Sequence, residues 1–255
     1  ELMIKLLKCE YMKTRRRYVL LTALTITAAL LAWILHGNYG EDFLRIAWMG
    51  FLYQMPLANA IFLSLLSIIV SSRLGDIEHR GAMLKQLATA VERGKLYDAK
   101  FIYGFAIILL CTLISWGGVI AYGYYKGFGG DVPIKLYLLY LLFTITPTLA
   151  VYIFQHTMSL CFKNQAVTFF SGIIGTFFGV FSMFLPQFPW LRKIFIGGYY
   201  GVLQFVGLFD WTPDDRYKSA HFDVMQIDWV FFAVLIAVCI VMYILGRMMF
   251  KRKEL

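Results

Sequence analysis

The sequence is poor in charged residues. Only 15% of its 255 residues are charged and 60% are hydrophobic, whereas a soluble domain is about 25% charged and about 45–50% apolar. The mean hydropathy of +0.68 reflects the same imbalance. This composition excludes an ordinary water-soluble enzyme, a disordered chain and a nucleic-acid-binding domain. It predicts an all-α integral membrane protein with no nucleic-acid partner.

Catalytic and metal-binding motifs are also missing. The four histidines are scattered, and the sequence contains no H-E-x-x-H, no G-x-S-x-G and no G-x-x-x-x-G-K-[ST] loop that would bind ATP. The four cysteines show no C-x-x-C spacing, so we expect neither a metal site nor a disulfide. The chain is therefore not expected to be an enzyme or to bind a cofactor, and another polypeptide must energise any active process.

Long apolar runs are what the sequence has instead. A helix needs about 20 mostly apolar residues to cross a hydrocarbon core, and six runs satisfy this. They are continuous and do not alternate with polar residues, so they predict helices and not barrel strands. The predicted spans are residues 18–35, 49–70, 101–122, 136–160, 166–185 and 229–246.

The few charges are distributed unevenly between the segments that join these spans. With six spans and an inner N-terminus, most of the 24 basic residues fall on inner segments. The outer segments are nearly neutral. Because basic loops stay in the cytoplasm, this pattern predicts that both termini are cytoplasmic.

A further uncharged stretch, residues 194–209, is short and contains four glycines. If it crossed the membrane, the basic C-terminal tail would lie outside, against the charge pattern. We therefore expect a re-entrant or interfacial element between spans five and six, within an extracellular loop at residues 186–227. The sequence leaves open which of the two forms it takes.

Two inner segments are amphipathic. Residues 1–17 predict an elbow helix in the cytoplasmic interface, or else a simple cluster of charges that orients the chain. In residues 73–100, apolar residues recur every three or four positions. This indicates a helix that docks into a groove of a cytoplasmic partner or lies on the bilayer.

Span five and the outer loop carry two further patterns. Small residues four apart in span five indicate a stripe for close helix packing: Ser171, Gly175 and Gly179. In the outer loop, aromatic and acidic side chains either anchor and solvate the loop or attract a cationic amphipathic ligand. The candidate residues for such a ligand are Tyr199, Tyr200, Trp211, Asp214 and Asp215.

The segment between spans two and three resembles a known family. Residues 76–87 read DIEHRGAMLKQL, residues 93–95 read RGK and residues 99–100 read AK. This is similar to the loop of ABC-2-type transporter permeases, in which an acidic residue, a glycine, a lysine-leucine stretch and an arginine precede Ala-Lys and the third span. The N-terminal stretch LLKCEYMK at residues 6–13 resembles the elbow of that family's lantibiotic-immunity permeases. One departure is that family members often carry a proline where this sequence has Thr89, Ala90 and Val91.

The resemblance implies a single ABC-2-type transmembrane domain over residues 1–255. Such a permease pairs with a second one, identical or homologous, and sits on a cytoplasmic ABC ATPase dimer that binds ATP and Mg²⁺. Residues 73–91 would contain the cytoplasmic coupling helix that enters the ATPase groove. The residues implied in that contact are Glu78, Gly81, Leu84, Lys85 and Leu87.

The resemblance also implies an activity. It is the ATP-driven removal of a lantibiotic, or another cationic antimicrobial peptide, from the bacterial cytoplasmic membrane, which confers immunity or resistance. Two alternatives stay open: a permease that exports another hydrophobic drug or lipid, and a non-transporting membrane protein that senses a peptide.

Overall fold

The computed structural model describes residues 2–37, 40–79, 91–212, 217 and 219–253. This part of the chain is mostly helical, and it includes a small two-stranded sheet. The elements, in chain order, are α1 (Leu2–Arg15), α2 (Val19–Leu35), α3 (Glu41–Leu44), α4 (Ala47–His79), α5 (Arg93–Lys126), α6 (Ile134–Cys161), α7 (Gln165–Met183), α8 (Leu191–Ile194), a 3₁₀ turn (Ile196–Gly198), α9 (Tyr199–Val202), β1 (Val206–Phe209), β2 (His221–Val224) and α10 (Trp229–Arg252).

The long helices fall where the apolar runs predict them. Among the described residues, α4, α5, α6, α7 and α10 are each long and apolar enough to cross a membrane. The first predicted span corresponds to α2, which has 17 residues and is bent by 72° from α1. If this bent pair counts as one span, the described helices give six. The placement of both termini in the cytoplasm stays a prediction.

The bend between α1 and α2 occurs at Tyr18. Its φ of 53° places it in the left-handed region, which ends a right-handed helix and which residues other than glycine rarely adopt. The helix α1 consequently leaves the axis of α2 and lies against the N-terminal part of α5. The predicted interfacial elbow corresponds in sequence to α1, and its interfacial location stays a prediction.

The described parts of the segment at residues 73–100 are mostly helical. The helix α4 continues to His79, and α5 begins at Arg93, well before the apolar run at residue 101. The predicted helix at residues 73–91 therefore falls partly within α4. Its remainder falls mainly on residues 80–90, outside the described residues.

The central helix is α4, which packs against α2, α5, α6 and α7. One close approach joins α4 to α6: a Cβ placed on Gly75 would lie 2.7 Å from the backbone oxygen of Ser159. Glycine therefore allows the two helices to meet near the end of α4. In contrast, α7 and α10 lie at the edge and expose most of their apolar surface.

Part of the predicted outer loop folds back into the helix bundle. The 3₁₀ turn and α9 pack against α4, α6 and α7, and Gly197, Gly198, Tyr199 and Tyr200 are buried. Within the stretch at residues 194–209, the 3₁₀ turn and α9 are thus short turns packed among the helices.

The same loop contains a β-hairpin that corrects the all-α prediction. Strands β1 and β2 are antiparallel, and Val206 is opposite Val224 while Phe209 is opposite His221. Each strand has only four residues, and each was predicted as part of an irregular aromatic loop. Pairing of two distant short segments explains why local sequence patterns did not reveal the sheet.

Candidate functional site

Four charged side chains meet where α4 ends and α5 begins. They come from three helices and are referred to below as the ionic cluster: Glu10 and Lys13 of α1, Glu78 of α4 and Lys100 of α5. Glu78 is the penultimate residue of α4, so it stands two positions before residue 80 in the sequence.

Each carboxylate of the ionic cluster bridges both ammonium groups. Lys100 Nζ lies 2.6 Å from Glu10 Oε2 and 2.8 Å from Glu78 Oε1. Lys13 Nζ lies 2.8 Å from Glu78 Oε1 and 3.2 Å from Glu10 Oε1. Two positive and two negative charges therefore balance within one closed set of contacts.

The ionic cluster is almost fully enclosed. The side-chain exposure is 0% for Glu78, 2% for Lys100 and 5% for Glu10, whereas Lys13 keeps 21%. Burying an unpaired charge carries a large desolvation penalty, which only close opposite charges can offset. For Lys13, outside the five apolar spans, burial disfavours the charged form, but the carboxylates of Glu10 and Glu78 outweigh this and raise its pKa.

The sequence positions the ionic cluster through α1. Glu10 and Lys13 are three residues apart and so share one face of that helix. A second contact holds the same face, because Thr14 Oγ1 lies 2.5 Å from the hydroxyl of Tyr103 on α5. The bend at Tyr18 directs this face toward the ends of α4 and α5, and the cluster thereby joins both helices that flank residues 80–90.

A second ion pair ties the start of α5 to the end of α10. Arg247 holds Asp98 through two contacts, Nε to Oδ1 at 2.8 Å and Nη2 to Oδ2 at 2.9 Å. Tyr243 also donates a hydrogen bond to Asp98 Oδ1 at 2.7 Å. Just before α5, a hydrogen bond from Lys251 and its charge lower the pKa of the exposed Glu92 carboxyl. The C-terminal helix is thus fixed to the same end of the bundle.

A third set of contacts joins α4, α5 and α6 at that end. A ring nitrogen of His79, the last residue of α4, lies 3.0 Å from the backbone oxygen of Ser159. A ring nitrogen of His156 lies 3.3 Å from the backbone oxygen of Tyr97. Together with the ionic cluster and the Asp98–Arg247 pair, these contacts connect five helices near the end of α4 and the start of α5.

The predicted ATPase-coupling residues divide into two groups. Gly81, Leu84, Lys85 and Leu87 lie outside the described residues. Glu78 is described, but its enclosed side chain has no surface with which to touch another protein in this structure. Its contacts make it a residue that positions the end of α4.

The predicted outer-loop residues fall into three groups: buried, exposed and outside the described residues. Tyr199 and Tyr200 are only 5% and 3% exposed, so the prediction that they face outward is corrected: their rings fill space between helices. The hydroxyl of Tyr200 lies 2.7 Å from Thr148 Oγ1, which explains how a polar group is accommodated there. Trp211 is 47% exposed, and Asp214 and Asp215 lie outside the described residues.

Two further residues of the predicted acidic cluster in the outer loop, Asp210 and Asp223, are exposed on the hairpin. Asp210 and Asp223 flank His221 at 3.4 Å and 3.2 Å from its ring nitrogens. Both carboxylates keep more than two thirds of their surface exposed. The hairpin therefore presents acidic groups beside the exposed Trp211.

The small-residue stripe of α7 makes contacts that differ from those expected. Gly179 does allow a close approach, since its Cβ would lie 2.7 Å from Gly197 Cα in the 3₁₀ turn. Gly175 has open space beside it, and together with Ser171 it lines a cavity of about 220 Å³ between α6, α7 and the turn. Gly172, one position away from the predicted stripe, is the glycine that packs against α4 and α6.

The described part of the chain contains no group of three or more histidine, cysteine, aspartate or glutamate side chains that could hold a metal ion. What the described contacts show is a closed set of ion pairs that links α1, α4 and α5.

The ionic cluster predicts an asymmetry between two lysines of α5. Replacing Lys100 with methionine leaves two buried carboxylates facing one ammonium, which should lower the free energy of unfolding by about 3–5 kcal/mol. The matched variant Lys95→Met removes an exposed lysine five residues earlier, and we expect a change of at most about 0.5 kcal/mol. Denaturant titration of the purified chain in mixed micelles measures both, and similar small losses in the two variants would contradict the role of the cluster.

The comparisons with known proteins bear on this same region. Residues 6–182 match the family model described as ABC-2 family transporter protein. No curated protein matches the chain. The matched range covers more than half of the chain and includes the ionic cluster and residues 80–90.

Proposed function

The chain belongs to the ABC-2 family of transporter proteins, and we propose that it is the permease subunit of an ATP-driven transporter. As a member of this family with several apolar helices, it is a multi-pass membrane protein. The observation that supports the permease role is the ionic cluster, which joins the two helices flanking residues 80–90.

In this proposal, residues 80–90 contain the surface that docks on the ATPase. Movement of the ATPase displaces this segment, and the displacement passes to α4 and α5 through their adjoining ends. Because Lys100 binds both Glu78 and Glu10, the two helices and α1 move as one body. The central helix α4 then carries the movement into the core, where it packs against four other long helices.

The assembly we propose has two permeases, identical or homologous, on a cytoplasmic ATPase dimer that binds ATP and Mg²⁺. The chain would cross the bacterial cytoplasmic membrane six times with both termini inside. The end of the bundle that carries the ionic cluster would then be cytoplasmic. The hairpin of β1 and β2 would lie on the outer side.

The docking proposal is tested by measuring how much ATPase co-purifies with the chain, referred to below as ATPase recovery. The chain is purified in mild detergent with its ABC ATPase, and a complex with two copies of each is expected. Gly81→Trp and Lys85→Glu change two residues of the proposed docking segment, so each should lower ATPase recovery by about tenfold or more. The control Lys126→Glu alters the opposite end of α5 and should leave recovery unchanged. Full recovery with both docking variants, at normal helical content, would refute this docking site.

For the substrate, we propose a cationic amphipathic antimicrobial peptide, such as a lantibiotic, that is removed from the membrane. The support is local chemistry: the hairpin exposes the carboxylates of Asp210 and Asp223 together with Trp211. Carboxylates attract a cationic peptide and an exposed indole contacts its apolar side. Tyr199 and Tyr200 take no part in this surface because they are buried.

The substrate proposal is tested in a susceptible strain that expresses the chain with its ATPase. Asp210→Asn combined with Asp223→Asn should reduce protection against a lantibiotic severalfold, because both attractive charges are lost. Asp131→Asn, an exposed acid between α5 and α6, should change protection little. Equal protection against an uncharged hydrophobic drug would favour the drug or lipid alternative. Protection that persists after the ATPase is inactivated would instead favour peptide sensing without transport.

A further inference from the structure

A large groove lies at the bend between α1 and α2 and adjoins the ionic cluster, since Lys13 is among the residues that line it. Its volume is about 1180 Å³, and it is lined by the end of α1, the start of α2 and part of α5. Pockets for small molecules are typically about 300–1,000 Å³. The groove therefore has space for a ligand larger than a typical metabolite.

One end of the groove is basic. Arg15 and Arg16 line it and are exposed. Within the part of the chain that the structure describes, neither guanidinium has a carboxylate partner, in contrast to Lys13, whose ammonium belongs to the ionic cluster. Two arginines in adjacent positions offer a site for an anionic group such as a phosphate.

The remainder of the groove is apolar. Its wall is formed by Leu20, Leu21 and Leu24 of α2 and by Ile107 of α5. Leu20 and Leu21 are 41% and 61% exposed, so they offer apolar surface to a ligand. Tyr18 stands at the corner between the basic and apolar parts and is 68% exposed. An aromatic residue at this place is typical of the boundary between head groups and acyl chains.

This arrangement selects one class of occupant. A ligand that fits must carry a negative group that reaches the arginines. It must also carry a long apolar part that extends along the leucines. We propose that the groove binds an anionic phospholipid of the cytoplasmic leaflet. Arg15 and Arg16 hold its phosphate, and an acyl chain lies along Leu21 and its apolar neighbours.

The bound lipid would also hold α1 in place. Arg15 is the last residue of α1, and Glu10 and Lys13 of the ionic cluster lie five and two positions before it in the same helix. A lipid at the end of α1 therefore stabilises the orientation that the ionic cluster requires. This inference needs the bend of α1 at a membrane surface but does not depend on the identity of the transported substrate.

Lipid binding is measured on the full chain after delipidation in neutral detergent. Native mass spectrometry follows titrations with phosphatidylglycerol, with phosphatidylcholine of the same acyl chains and with inorganic phosphate. The wild-type chain should retain one phosphatidylglycerol with at least about tenfold preference over phosphatidylcholine. Inorganic phosphate at the same concentration should neither bind nor displace the lipid. Displacement by phosphate would identify a soluble anion as the ligand and overturn the proposal.

Two double variants distinguish lipid binding in the groove from nonspecific attraction to surface charge. Arg15→Gln with Arg16→Gln should abolish the preference for phosphatidylglycerol. The matched control, Arg17→Gln with Arg252→Gln, removes two exposed arginines that do not line the groove and should retain it. Equal loss in both pairs would overturn the proposal, because the charges would then act without a defined site.

A third variant tests the apolar wall. Leu21→Trp places a larger side chain in the groove and should weaken binding of both phospholipids, whatever their head group. Retained binding of both would show that the acyl chain does not lie there. Circular dichroism checks the helical content of each variant, and Arg15→Gln alone replaces the double variant if the latter does not fold.

Discussion

The enclosed ionic cluster is the constraint on which the cytoplasmic-facing end of the proposed permease depends. Four charged side chains are enclosed there, and each has two partners of opposite sign at 3.2 Å or less. This condition fixes α1, the end of α4 and the start of α5 relative to one another. A shift of any of these helices would leave a buried charge unpaired. The arrangement is therefore rigid where the chain enters and leaves residues 80–90.

The other contacts at this end extend the same rigid unit. Asp98 joins α5 to α10 through Arg247 and Tyr243, and Gly75 brings α4 against α6. The lipid that we propose at the bend would fix the free end of α1. The part of the molecule that contains residues 194–224 is built differently, from turns folded between helices and from a hairpin that exposes acidic groups. One end is thus suited to receive a mechanical signal, and the other offers a surface for a ligand.

The sequence predicted the long helices well because an apolar run in a membrane protein is a local property. Most of their starts lie within a few residues of the predicted ones, for example residue 136 against Ile134 for α6, whereas α5 begins at Arg93, eight residues before the predicted start at 101. The ionic cluster was not predicted, because Glu10 and Lys100 are 90 positions apart and no local pattern pairs them. The sequence feature that could have indicated the cluster is a charged residue set among apolar ones, such as Lys100 directly before the third span. Tyr199 and Tyr200 were misplaced for a related reason: composition assigns aromatics to a boundary, but only the packing of distant helices shows which rings are enclosed.

The central claim is that balanced charge in the ionic cluster positions the segment that docks on the ATPase. It is tested most directly by ATPase recovery with Lys100→Met, alone and combined with Glu10→Gln, normalised to the folded chain. The account predicts that the single variant loses the ATPase. The double variant should regain most of it, because Glu78 and Lys13 remain as a neutral pair. Full recovery with the single variant, or equally poor recovery with both, would contradict the account.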